Sequence, residues 1–153
     1  MDQTDRDLLA LLQQDSTLSY AQLGKRVGLS TSGVLARLRN LRARGEVRAY
    51  VALLDPQAVG LTLCAFVQVL LAQPADEPAF VSLVRKMPEV QECHQITGDF
   101  GYLLKIRARD NNHLAELLKM KIKVLPGIAR MQVSIVLASL KETHAVDVRP
   151  PRD

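Results

Sequence analysis

Residues 18–52, LSYAQLGKRVGLSTSGVLARLRNLRARGEVRAYVA, constrain the fold more than any other stretch of this chain. Ser19 followed three residues later by Gln22 spells a capping box, which opens a short helix running to about Val27. Leu23 and Val27 stand four apart and give that helix its buried side. Gly28 suits the left-handed residue that ends a helix, and Leu29 turns the chain inward. Ser30 then caps a second helix, on which Val34, Leu38 and Leu41 fall on one face and Gly45 marks the stop. Two short helices joined by a tight turn form a helix-turn-helix, whose second helix lies in the major groove of DNA in the proteins that use it this way.

The charge on the second helix points the same way. Residues 31–48 hold Arg37, Arg39, Arg42, Arg44 and Arg48 against Glu46 alone. At about 100° per residue, Arg37 and Arg44 flank one side of the buried stripe and Arg39 and Arg42 the other. Thr31, Ser32, Ala36, Arg39 and Asn40 face away from the core, with Ser30 at the helix start. Small polar groups at a helix N-terminus allow close approach to base edges, and flanking arginines suit phosphates. Arg39 and Asn40 are the residue types that pair with guanine and adenine edges. A solvated amphipathic helix also carries charge runs; one-sided charge beside a capped turn-helix is what favours DNA.

The N-terminal segment completes a three-helix unit. Asp2 or Thr4 can cap a helix to about Leu12, with Asp5 and Asp7 complementing its dipole and Leu8, Leu9, Leu11 and Leu12 forming a wide apolar face. After Gly45, Val47, Ala49 and Val51 alternate with Arg48, Tyr50 and Ala52, the period of a short wing strand. Asp55-Pro56 and Gly60 punctuate a hinge over 53–60.

From residue 61 the rhythm changes. Residues 61–72 read as a β-rich run apolar on both faces. A helix carrying Phe80, Leu83, Val84 and Met87 follows and ends at Pro88. A strand over 90–97, a GDFG turn over 98–101 and a strand over 102–108 come next. Leu114, Leu117, Leu118 and Ile122 mark a further helix, Pro126-Gly127 a turn, and 128–140 a last strand. The order β-α-β-β-α-β is the split, ferredoxin-like arrangement. The chain therefore reads as α+β: a winged helix-turn-helix over 1–52, the hinge, a ferredoxin-like βαββαβ domain over 61–140, and an aperiodic, loose tail over 141–153. Helices on one sheet face leave the other open, and apolar residues on that open face call for a cover, most simply a second copy.

Composition excludes several classes. A length of 153 residues with 48% hydrophobic and 24% charged side chains is globular rather than disordered. The net charge is +4, and residues 1–52 hold eight basic against five acidic groups, so the excess is densest beside the helix-turn-helix. No apolar run is long enough to span a membrane, and the opening MDQTDRD is unlike a signal peptide. Cys64 and Cys93 lack metal-site spacing and read as small core residues of a reduced, cytoplasmic protein. His94, His113 and His144 stand apart, so no metal or cofactor is expected, and no phosphate loop or nucleophile elbow appears.

The segments 5–15, 28–60, ITGDFGYLLKIRARD at 96–110 and LPGIARMQVSIVL at 125–137 resemble the Lrp/AsnC, or feast/famine, regulators over nearly the whole chain. The resemblance implies a transcription factor, not an enzyme, that binds double-stranded DNA. It implies dimers formed through the ferredoxin-like domain, tetramers or octamers built from them, and an amino acid or related metabolite held between dimers near Gly98, Asp99, Phe100, Gly101 and Tyr102. The family commonly has an acid where this chain has Gly101, which removes a natural partner for an α-ammonium group; a glycine required for positive φ is the alternative reading of that position. Siroheme decarboxylases, tetrapyrrole enzymes, resemble the same layout and are one alternative, but they need histidines and basic residues facing the cleft and no arginine-rich helix. A ligand-binding oligomer whose winged helix has lost DNA binding is the other, and the five arginines argue against it.

Overall fold

The computed structural model describes residues 1–125 and 127–149, arranged as two compact units: residues 1–52 with the segment from Lys141, and residues 53–140. The Pro126 half of the expected turn and the RPPRD end lie outside the described residues, apart from Arg149.

In the first unit, α1 spans Gln3–Gln14, α2 Tyr20–Val27 and α3 Thr31–Ala43. Each starts on a side-chain cap that answers otherwise orphaned helix N–H groups. The Asp5 N–H donates to Asp2 Oδ1 at 2.8 Å, the Gln22 N–H to Ser19 Oγ at 3.2 Å and the Gly33 N–H to Ser30 Oγ at 3.1 Å. Leu8, Leu23, Val34, Leu38 and Leu41 form the buried core, flanked by half-buried Leu9, Leu11, Leu12, Val27, Leu29 and Val47. Two glycines shape the turn between α2 and α3. Gly28 is left-handed at φ +72°, and Gly24 lies so close to the turn that a Cβ there would sit 2.4 Å from the Leu29 carbonyl oxygen.

The expected wing strand is absent: residues 47–52 form no strand, and only Val47 packs on the core. A strand needs a backbone neighbour to complete its ladder, and the alternation at 47–52 meets none among the described residues. The tail also differs from expectation. The Val146 N–H donates to Gln13 Oε1 at 2.6 Å, Gln13 Nε2 to the Val146 carbonyl at 3.0 Å, and Arg6 Nη1 to the Val148 carbonyl at 2.8 Å. These bonds tether its backbone along α1.

In the second unit, β1 spans Leu63–Leu71, α4 Glu77–Val84, β2 Val90–Gln95, β3 Tyr102–Ala108, α5 Asn111–Leu117 and β4 Ile128–Ile135. The strands order β2-β3-β1-β4, all antiparallel, as the split arrangement requires. Ala65, Val67, Val69, Tyr102, Leu104, Ile106 and Ala108 point to one face, where Phe80, Val84, Leu114, Leu117 and Ile122 bury them.

Boundaries differ from the sequence reading for local reasons. Pro88 disfavours helix at the residue before it, so α4 stops at Val84 and tight turns carry the chain to Met87. Helix α5 gives way at Leu118–Ile122 to a wider π-type turn. Strand β4 stops at Ile135, opposite Ala65 near the start of β1, leaving Leu137 and Leu140 almost fully exposed.

The open sheet face is more polar than its first strand suggested. Cys64, Phe66, Leu70 and Leu103 share it with Lys105, which is 8% exposed and pairs with Glu92 at 3.2 Å, and with Arg107, which donates to Gln91 Oε1 at 3.0 Å.

Candidate functional site

The exposed side of α3 carries Thr31, Ser32, Ala36, Arg39 and Asn40, as the turn angle dictates once Val34, Leu38 and Leu41 are buried. Ser30 Oγ is occupied by the cap and lies 3.1 Å from Ser32 Oγ, so Ser30 shapes the helix start.

The arginines divide into two groups. Arg37 Nη1 donates to Asp2 Oδ2 at 2.6 Å and to Asp5 Oδ1 at 2.8 Å, tying α3 to the first turn of α1. Arg44 donates to Glu46 Oε2 from Nη2 at 2.9 Å, and the same nitrogen lies 3.7 Å from Asp5. Asp5 is only 7% exposed, and the capping box together with these arginines is what makes its burial tolerable. The Asp5 N–H and the Arg37 guanidinium hold the Asp2 carboxyl below its usual range.

By contrast, no hydrogen bond or ion pair among the described residues engages the side chains of Arg39, Arg42 or Arg48. Arg42 instead lies 5.8 Å over the Tyr50 ring, a contact that favours a cation beside the end of α3. Lys25 and Arg26 add exposed charge in the last turn of α2. Their place at a helix C-terminus within the helix-turn-helix is the sequence signal for this pair, which the charge pattern of the second helix alone does not include.

In the second unit the turn between β2 and β3 brings Gly98, Asp99, Phe100 and Gly101 together, but Tyr102 points away from it. Its ring is 7% exposed and packs 4.9 Å from Phe80 in the core, where burial and the nearby Glu77 carboxylate push the phenol up. Gly101 has no positive φ; its N–H donates to the Val69 carbonyl at 3.1 Å and its carbonyl accepts from the Ile96 N–H at 2.9 Å. A residue absent from the sequence reading stands at this turn. Arg130 on β4 places its guanidinium 4.5 Å over the Phe100 ring and donates from Nη2 to the Asp99 carbonyl at 3.4 Å. Nothing in sequence spacing relates residue 130 to residue 100; only the sheet brings them together.

Other candidate chemistry disperses. His94 bonds Glu92 at 3.1 Å and His113 Nδ1 accepts the Arg109 N–H at 3.2 Å, while His144 belongs to the first unit. Among the described residues no cluster of His, Cys, Asp and Glu is placed to hold a metal, and no helix is long and apolar enough to cross a membrane. An open groove of about 800 Å³ lined by Glu89, Arg109, His113, Lys119 and Met120 has mixed charge and lies at the other end of β3 from the 98–101 turn.

Residues 1–42 match the AsnC-type helix-turn-helix domain and residues 64–146 the Lrp/AsnC ligand binding domain. The chain is 36% identical over 151 residues to the leucine-responsive regulatory protein of Klebsiella pneumoniae, covering 97% of this chain and 92% of that one. Among solved structures, a Neisseria meningitidis transcriptional regulator in complex with L-methionine superposes with a TM-score of 0.92 at 36% identity, over 95% of this chain and 96% of that one. An AsnC family transcriptional regulator from Agrobacterium tumefaciens superposes with a TM-score of 0.90 at 33% identity, over the same shares.

Proposed function

The chain belongs to the Lrp/AsnC family and is a DNA-binding transcriptional regulator, and on that premise we propose how its own residues do the work. Helix α3 enters the major groove with Thr31, Ser32, Ala36, Arg39 and Asn40 toward the bases, while Arg39, Arg42 and Arg48 reach phosphates. The observation that carries this reading is the division among the arginines. Arg37 and Arg44 are spent on Asp2, Asp5 and Glu46, and the unpaired Arg39, Arg42 and Arg48 are the cations available to a polyanion. The Tyr50 ring lies beside Arg42, and Lys25 and Arg26 extend the basic surface on α2.

The second unit pairs with a second copy. Support comes from Phe66, Leu70 and Leu103 on the open sheet face and from the exposed Leu137 and Leu140, an apolar set that monomeric proteins rarely leave to water. Two recognition helices then meet two half-sites, and larger assemblies of dimers follow the same logic. The turn at Gly98, Asp99, Phe100 and Gly101 takes a small effector, in keeping with the L-methionine complex of the Neisseria relative. The protein works in the cytoplasm as a regulator without catalysis.

The test is a gel-shift of the full chain on DNA upstream of its own gene, with and without a panel of amino acids. Retardation that competitor DNA of unrelated sequence does not abolish supports the reading. Equal binding to all DNA, or none, refutes sequence-specific recognition by α3.

A further inference from the structure

The effector turn carries a fixed cation and an open space where an acid would stand. Arg130 is exposed, but its partner ring is not: Phe100 is 9% exposed, and its ring favours a cation at the 4.5 Å position the guanidinium takes. A guanidinium has five N–H donors, and the Asp99 carbonyl takes one of them at 3.4 Å. The remaining donors at the edge of a stacked guanidinium form the fork that grips a carboxylate through two parallel bonds. The Asp99 side chain makes no hydrogen bond or ion pair with Arg130 or with any other described residue, so it does not neutralise this cation.

Gly101 is not a backbone necessity. Its φ is not positive, and an added Cβ would meet nothing nearer than the Val69 carbonyl oxygen at 4.0 Å. A side chain fits there, and none is present. Nor does Gly101 offer a ligand its backbone, since its N–H and carbonyl are spent on Val69 and Ile96. Charged recognition at the turn therefore falls to Arg130 and to the exposed Asp99.

We propose that Arg130 reads the carboxylate of the effector, and that this effector is a small carboxylic acid, such as a 2-oxo acid, whose recognition needs no α-ammonium group. The inference rests on the reading of the 98–101 turn as the effector site. The carboxylate displaces water from a guanidinium already oriented by Phe100, so little order is lost on binding. An ammonium group at the same place loses its hydration without a carboxylate at position 101 to replace it.

Titration calorimetry of the full chain against four probes tests this: L-methionine, L-leucine, and the 2-oxo acids with the same side chains. In at least one pair the oxo acid is expected to bind about tenfold tighter than its amino acid. Arg130→Gln, at an exposed site, should keep the circular dichroism of the parent and weaken oxo-acid binding at least tenfold; Arg130→Lys, which keeps the charge and loses the fork, should fall between. Gly101→Asp should reverse the preference toward the amino acid. Tighter binding of the amino acids by the parent would assign recognition to Asp99 and overturn the inference. Oxo-acid binding unchanged in Arg130→Gln would do the same, and either result leaves the turn as an effector site. No binding of any probe by protein that still retards its DNA would overturn the effector reading itself.

Discussion

Two glycines in the helix-turn-helix should respond to the same substitution with opposite signs. At Gly24 a Cβ would lie 2.4 Å from the Leu29 carbonyl oxygen and 3.4 Å from its carbon, both backbone atoms at the turn into α3. Ordinary contact begins near 3.4 Å, so either α2 or the turn must retreat by close to an ångström. The displacement also strains the Leu29 N–H bond to the Gly24 carbonyl, now 2.9 Å. Overpacking of this kind costs about 1–3 kcal/mol or slightly more, and the gain in helix propensity returns up to ~1 kcal/mol. Because the clash at 2.4 Å is with backbone, the cost lies at the top of that range, and Gly24→Ala is expected to lose up to ~2 kcal/mol net, or roughly 4–8 °C in Tm for a chain of this size. At Gly33 the nearest atom to an added Cβ is the side-chain oxygen of Ser30 at 3.3 Å, which can give by a few tenths of an ångström while keeping its cap bond from the Gly33 N–H. Gly33→Ala should leave Tm unchanged or raise it by a few degrees, because the propensity gain there meets little opposition. Differential scanning calorimetry of both full-length variants decides the matter. A Gly24→Ala protein as stable as the parent, or a Gly33→Ala protein that loses more than Gly24→Ala, would refute the close approach of α2 to the turn. Since the shifted turn carries Leu29 and Ser30, the cap of α3, Gly24→Ala should also weaken DNA binding.

The Asp2–Arg37 clamp predicts an acid limb to the stability curve. The Asp2 carboxyl is held below its ordinary 3.8 by the Asp5 N–H and then by Arg37, so its contribution is complete above that value and fades as pH falls through the lowered folded one. Glu92, held below 4.5 by its bond to His94 and then by Lys105, fades from a higher starting point in the same direction. In chemical denaturation, Arg37→Gln should be less stable than the parent at pH 7, with the gap narrowing only as pH falls below about 3.8. A gap that stays constant through that range would show that Arg37 does not act through the ionised carboxylates, and no gap at pH 7 would show that the clamp contributes nothing. On the open sheet face, Phe66→Glu should shift the protein toward monomer in light scattering and reduce DNA affinity with it, because paired half-sites need two recognition helices. An unchanged oligomer would place the interface elsewhere.

The helix-turn-helix was legible because its signals are local. Capping boxes, a left-handed glycine and a 3.6-residue apolar stripe act within a few residues of one another, and Ser19, Gln22, Gly28 and Ser30 stand where those rules put them. The strand order of the second unit was legible for a related reason, since few topologies satisfy β-α-β-β-α-β. What escaped the sequence reading depends on contacts across the fold. The commitment of Arg37 and Arg44 to Asp5 joins residues over thirty positions apart, and the stacking of Arg130 on Phe100 spans thirty. The need for glycine at position 24 follows from how α2 meets the next turn. The wing failed as a strand for want of a neighbour, since alternation states a preference that only a partner backbone can realise.

On the proposed reading Arg39 and Arg42, rather than Arg37, contact DNA phosphates. Fluorescence anisotropy of the full-length protein on its upstream duplex, repeated over a series of salt concentrations, tests it directly. Arg39→Ala and Arg42→Ala should each weaken binding and flatten the slope of log affinity against log salt by about one unit. Arg37→Ala should leave that slope unchanged while lowering thermal stability. Parent-like slopes in the Arg39 and Arg42 variants, with the full loss appearing in Arg37→Ala, would contradict the account.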